Sequence, residues 1–199
     1  MIPVGYMAKR VSLHPDWLQT ERVMDIYSVS NCISKDFADY IPYWKHNGYW
    51  FFDSPLIIQQ LAQEHSLDLS GTTLFYYEVH ELEFDEAEKE WLEFEPEASF
   101  TTKVVVPAKK VLIGYDLVSF SVGTNPGCSP LSCNHLAREV KTNPHCLLDS
   151  FEQARQLLES EKFKGVEPGP YRIFAVYSVE GQVHEEAMNM TAVHTKDIH

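Results

Sequence analysis

The sequence has no long apolar run. No stretch approaches the roughly 20 consecutive apolar residues that a membrane-spanning helix needs. Its first residues, MIPVGYMAKRV, also lack the basic-then-apolar order of a secretory signal. These absences predict a soluble protein that resides in the cytoplasm and does not bind membranes.

Basic residues are scarce. The chain has 16 lysines and arginines against 29 acidic residues, a formal net charge of -13. Proteins that bind nucleic acids contact the phosphates through clustered Lys and Arg side chains, so nucleic acid is excluded as the main partner. A basic protein is the better electrostatic match for such a chain.

Cysteines are too few for a disulfide framework, since the chain of 199 residues contains four. A reducing compartment would keep them as thiols, whereas an oxidising one would allow a disulfide between Cys128 and Cys133. The sequence leaves open whether these two residues are free, metal-bound or disulfide-linked.

The common motifs of enzymes are also missing. The sequence contains no P-loop, no GxGxxG after a strand, no GxSxG and no HExxH. We therefore predict no cofactor, and the motifs leave open whether the protein is an enzyme.

The pattern of apolar residues predicts the fold class. A hydrophobic content of 44% is typical of one globular domain over residues 1–199, with a possible subdivision into an aromatic-rich part, 1–70, and a sheet-rich part, 71–199. Runs of strands separated by isolated helices indicate an α+β fold, a mostly antiparallel sheet of about six to eight strands with three to four helices packed on it.

Four segments have helical signals. Ser54-Pro55 opens a helix that ends near His65, and Ser150 with Gln153 forms a capping box for a second. Ser129-Pro130 starts a third, which places Cys133 on its apolar face. A fourth, after Ser34, competes with a hairpin at Asn47-Gly48 for residues 43–46.

Strands are predicted from runs of β-branched and aromatic residues. The run 171–179 is apolar on both faces, which is typical of a central strand. The other predicted strands are 23–29, 72–84, a returning strand around 91–94, 100–106, 110–113 and 115–122.

An acidic stretch leads to the first functional hypothesis. Residues 78–97 contain ten acidic residues and one lysine, a local net charge of -9. Aromatic anchors amid complementary charge are typical of interfaces, so we expect an interaction protein that binds a basic partner, as a toxin-neutralising immunity protein does. A solvated acidic face whose aromatics reach the core is the simpler alternative. The expected binding residues are Glu86, Glu88, Glu90, Trp91 and Phe94.

Residues 118–149 hold three of the four cysteines and lead to the alternative hypothesis, a thiol-dependent hydrolase or transferase. Cys128 would be the nucleophile, because it precedes a predicted helix N-terminus that would stabilise a thiolate. The base would be His135 or His145, oriented by Asn134 or Asp149. The simpler interpretation, which the sequence favours, is that Cys128 and Cys133 are small buried core residues, as free cysteines commonly are.

A zinc site is not predicted, although suitable ligand types lie close together in the sequence. Their spacing contains neither a C-x2-C knuckle nor an H-x3-H pair. On a helix, Cys133 and His135 would also point about 200° apart. The residues considered as ligands are Cys128, Cys133, His135, His145 and Cys146.

Overall fold

The structure, a computed structural model, describes residues 1–13, 15–37, 46–94, 102–120, 126–163 and 166–179. This part of the chain forms a seven-stranded antiparallel sheet, a second sheet of two short strands, and two α-helices. The strands are β1 (Ile2–Arg10), β2 (Ser12–Leu13), β3 (Asp25–Ile26), β4 (Lys35–Asp36), β5 (Thr73–Val79), β6 (Leu82–Asp85), β7 (Glu90–Glu93), β8 (Lys110–Ser119) and β9 (Tyr171–Val179). The helices are α1 (Pro55–Glu64) and α2 (Phe151–Leu158).

Strand β9 lies at the centre of the main sheet, as the sequence predicted. It pairs along its whole length with β8 on one side, and with β5 and then β6 on the other. Strand β5 in turn pairs with β1 and β1 with β4, while β6 pairs with β7. Strands from the first 70 residues and from the later part therefore share one sheet.

The long strand predicted over 72–84 is present in two pieces. β5 and β6 both pair with the same edge of β9. Between these two strands, the His80 N–H donates to the Ile173 carbonyl at 2.8 Å. The returning strand is confirmed as β7. Its turn is held by Asp85, whose Oδ1 accepts from the N–H groups of Ala87 and Glu88.

Helices α1 and α2 confirm two of the helical predictions. Pro55 occupies the first turn of α1, and the helix buries Ile58 and Leu61 as its apolar spacing required. At α2 the Ser150 Oγ accepts from the Gln153 N–H at 3.2 Å, and the Gln153 side chain returns to the N–H of Asp149. This exchange is a capping box displaced by one residue.

The prediction of an α-helix after Ser129-Pro130 is wrong. The described residues therefore form two α-helices and not the three or four that were predicted. Residues 130–134 form turns, followed by a short 3₁₀ helix, Leu136–Arg138. Ser129 does not cap a helix, because its hydroxyl donates to Asp116 at 2.5 Å. His135 has a φ of 60°, which is incompatible with a continuous right-handed helix.

The other segments differ from prediction in extent. The predicted strand 23–29 is reduced to β3, residues 102–106 form no strand, and 110–119 is one strand with an irregularity between Leu112 and Gly114. Of the helix predicted after Ser34, residues 35–36 are β4, and 38–45 lie outside the described residues. Asn47 does begin a turn, but the positive φ falls on Trp50.

Both faces of the main sheet are buried at its centre, where residues 171–176 of β9 are all buried. Alternate residues of β9 belong to different core clusters, Ile173 to one and Phe174 to the other, as the two-residue period of a strand requires. Among the described residues, no helix has the length and apolarity needed to cross a membrane.

A buried lysine joins three parts of the chain. Lys9 of β1 is 1% exposed, and its ammonium donates to the carbonyls of Ser28, Val29 and Ser30 at 3.1, 2.6 and 2.9 Å. It also lies 3.2 Å from a carboxylate oxygen of Asp36 on β4. Burial lowers the pKa of Lys9, and the charge of Asp36 opposes that effect. Loop 27–34 is therefore tied to the sheet through one charged side chain.

We expect Lys9→Met to destabilise the protein by about 3–5 kcal/mol, because it leaves the Asp36 carboxylate buried without its counter-charge. Urea unfolding of the wild type and the variant measures this difference. Lys162, which is exposed, gives a control: Lys162→Met should change stability by less than about 0.5 kcal/mol. Equal stability of the two variants would contradict the structural role of Lys9.

Candidate functional site

Three thiols meet at the surface of the described chain. The Sγ atoms of Cys32, Cys128 and Cys133 all lie within 4.8 Å of one another. Those of Cys32 and Cys128 are 3.4 Å apart. Cys32 is exposed, Cys133 is half-buried and Cys128 is buried, so the cluster opens to solvent on the side of Cys32.

The loop that carries Cys32 is closed by its own polar groups. Ser34 donates from its hydroxyl to the Ile26 carbonyl at 2.5 Å and accepts from the Ser28 N–H at 3.2 Å. Lys9 holds three further carbonyls of the same loop. The N–H and carbonyl groups of residues 28–30 therefore all have partners within the protein, which fixes the backbone that leads into Cys32.

Cys128 is held against the end of β8. Ser119 exchanges backbone hydrogen bonds with residues 127 and 128, both at 2.9 Å, and its hydroxyl accepts from the Cys128 N–H at 3.1 Å. Gly127 makes this pairing possible, because a Cβ there would lie 2.7 Å from the Ser119 carbonyl oxygen. Only glycine allows this approach.

Cys133 follows a turn that begins at Ser129. The Cys133 N–H donates to the Ser129 carbonyl at 2.8 Å, which brings its thiol back towards Cys128. Its Sγ also lies 3.9 Å from the hydroxyl of Ser30, in the Cys32 loop.

Asp116 connects the two cysteine-bearing segments. One carboxylate oxygen accepts from the Ser129 hydroxyl at 2.5 Å, and the other accepts from the Val29 N–H at 2.8 Å and the Ser28 hydroxyl at 3.3 Å. The Leu117 N–H supplies a further bond at 2.9 Å. Asp116 is 1% exposed, so these bonds form in a region from which water is excluded.

The thiols differ in acidity. The hydrogen bond between the thiols of Cys32 and Cys133 lowers the pKa of Cys32 and raises the pKa of Cys133. Burial raises the pKa of Cys128 to about 12, and burial also raises the pKa of Cys146. Cys32 is therefore the thiol of the four that ionises most readily.

The residues expected to act with Cys128 lie in other contacts. The His135 ring packs on Trp17, with centroids 5.3 Å apart, and the His145 Nδ1 lies 2.5 Å from a carboxylate oxygen of Asp25. Asp149 is exposed just before α2. Within the described ranges no hydrogen bond joins Cys128 to His135 or His145, and the helix N-terminus invoked to activate Cys128 is absent.

Cys32 is the site residue that the sequence analysis missed. It is 96 residues from Cys128, and no spacing rule connects them. Of the five ligands considered for zinc, the structure brings Cys128 and Cys133 together. Cys146 lies in a core cluster with Leu148, and the two histidines contact the residues named above.

The expected aromatic anchors of the acidic stretch contact the protein itself. The Trp91 indole N–H donates to Glu159 at 2.9 Å, and its ring packs on Phe84. The guanidinium of Arg172 lies 3.1 Å from the centre of the Phe94 ring. The expected binding carboxylates are more accessible to solvent than these aromatic anchors: Glu88 and Glu90 are exposed, and Glu86 is half-buried.

Asp116 gives the protein a pH dependence of unusual sign. Burial raises its pKa to about 6, so between pH 4 and 6 the folded chain holds a proton that the unfolded chain has released. The contribution of this group to stability is therefore full below pH 4 and is lost as the pH rises through 6.

We expect the stability of the wild type relative to Asp116→Asn to fall by about 3 kcal/mol between pH 4 and 7. Urea unfolding with a metal chelator present, at several pH values, measures the difference. A relative stability that rises with pH would mean that the hydrogen bonds to the carboxylate outweigh its burial.

No family model matches this chain, and neither a curated protein nor a solved structure matches it. Function is therefore inferred from the chemistry of the described side chains.

Proposed function

We propose that this protein binds a thiophilic metal ion, Zn²⁺ in the first instance, through Cys32, Cys128 and Cys133. The observation that carries the proposal is the mutual approach of three Sγ atoms within 4.8 Å. With Zn–S bonds of about 2.3 Å, a tetrahedral ion holds its sulfur ligands about 3.8 Å apart, so small side-chain movements are enough to form the site.

The ligand set favours soft ions. Thiolates select Zn²⁺ and Cu⁺, whereas Mg²⁺, Ca²⁺ and Mn²⁺ prefer oxygen ligands. Three protein ligands leave the fourth position of a tetrahedral ion open, and the exposure of Cys32 places that position on the solvent side. A water molecule or a small external donor would complete the coordination.

The surroundings of the thiols suit a bound cation. The Ser119 and Ser129 bonds fix the backbone of Cys128 and Cys133, which reduces the ordering that binding requires. We infer a cytoplasmic location, since a reducing compartment keeps the thiols available.

The reduced full-length chain should bind one Co²⁺ ion with a thiolate-to-metal charge-transfer absorption, and Zn²⁺ should displace it. Cys32→Ser and Cys133→Ser should each weaken binding at least about 10–100-fold, because the loss of a ligand costs no less than the loss of a supporting residue. Absorption titration measures both effects.

Cys146→Ala provides the matched control for that titration. It removes a buried thiol outside the cluster, so metal affinity should not change. If the wild type bound no more tightly than a variant lacking all three cluster thiols, metal binding would be excluded as the function.

A second candidate is the interaction with a basic protein. Its support is the position of β7 at the end of the sheet order, with exposed Glu90 and Glu93 on either side of Leu92, which is 39% exposed. Leu92 replaces Trp91 as the apolar contact, because the Trp91 side chain is bonded to Glu159. The net charge of -13 favours a basic protein over nucleic acid as the partner.

Charge reversal of Glu88 and Glu90 to Lys should slow association with a basic partner captured from the native host. Association of the wild type should also slow steeply as ionic strength rises from about 0.05 to 0.5 M, since screening shortens the reach of the charges. Surface plasmon resonance gives the rates, and Glu64→Lys on α1 is the control. Association rates that change neither with salt nor on reversal of Glu88 and Glu90 would exclude this role.

A further inference from the structure

The Cys32 and Cys128 thiols are closer than metal binding alone requires. Their sulfur atoms are 3.4 Å apart, shorter than the roughly 3.8 Å between thiolates on a tetrahedral zinc ion. A disulfide requires about 2.04 Å, so the pair is within about 1.4 Å of bonding distance. Cys32 is exposed and Cys128 is buried beside it.

We propose that Cys32 is an oxidation site, that hydrogen peroxide converts Cys32 and Cys128 to a disulfide, and that this oxidation releases the bound metal. The release of metal rests on the function proposed above, whereas the disulfide does not. The third thiol, Cys133, remains reduced.

The reaction has two balanced steps. The Cys32 sulfur attacks one peroxide oxygen, the O–O bond breaks, and the departing hydroxide takes a proton, which gives a sulfenic acid and one water. The Cys128 sulfur then attacks the Cys32 sulfur, the S–O bond breaks, and the second hydroxide leaves as water. Two electrons pass from the two sulfurs to peroxide, and zinc keeps its oxidation state.

Access determines the order of the two cysteines. Peroxide reaches Cys32 first because its side chain is exposed, whereas Cys128 is 9% exposed. The backbone of Cys128 is also fixed by its hydrogen bonds to Ser119. The side chain of Cys32 therefore makes the movement that brings the two sulfur atoms to bonding distance. Cys146 is buried, outside the group of three thiols, and should not react.

The test compares zinc-loaded and metal-free full-length protein, each treated with one equivalent of hydrogen peroxide. Mass spectrometry without reduction should find the loss of two hydrogens and a cross-linked peptide pair containing Cys32 and Cys128. In the loaded sample, a chromogenic chelator should detect one zinc ion released per disulfide, and dithiothreitol should restore binding.

Variants separate the roles. Cys128→Ser should leave Cys32 as a sulfenic acid that dimedone traps, whereas Cys133→Ser and Cys146→Ala should still form the disulfide. A disulfide between Cys32 and Cys133 in the wild type, or further oxidation of Cys32 without any disulfide, would overturn the proposal.

The outcomes also distinguish this proposal from the metal-binding function. A chain that binds no zinc but forms the disulfide would refute metal binding and the release step and retain the oxidation site. A chain that binds zinc and keeps it, with no disulfide in either sample, would refute the oxidation site alone.

Discussion

The structure of the thiol cluster depends on two buried charges that act on one loop. Lys9 binds the carbonyls of residues 28–30, and Asp116 accepts from the N–H of Val29. Both charges lie in a region that excludes water, where leaving either without its partners would be costly. The backbone before Cys32 therefore has one arrangement that satisfies both groups, and the position of that thiol follows from it.

Local signals predicted the parts of the fold that have local causes. Helix α2 follows from the capping box at Ser150, and the β6–β7 hairpin follows from apolar residues on either side of an acidic turn. The failed helix after Ser129 had equally good local signals. A distant residue, Asp116, takes the Ser129 hydroxyl, and such competition is not visible within a sequence window.

For the same reason, the sequence indicated only part of the candidate site. Cys128 and Cys133 are neighbours along the chain, whereas Cys32 joins them through contacts across 96 residues. A similar long-range contact involves the expected anchor Phe94, since the guanidinium of Arg172 of β9 lies over its ring. In both cases the residue types were informative, and their partners depended on the pairing of distant strands.

The central position of β9 has a consequence for biosynthesis. Because β9 separates β8 from β5 and β6, the ribosome makes the other six described strands of the main sheet before the strand that joins them. All three clustered cysteines also leave the ribosome before β9 does. The nascent chain therefore carries unassembled strand edges and unprotected thiols until residue 179 has emerged, a period in which a chaperone would have most to shield.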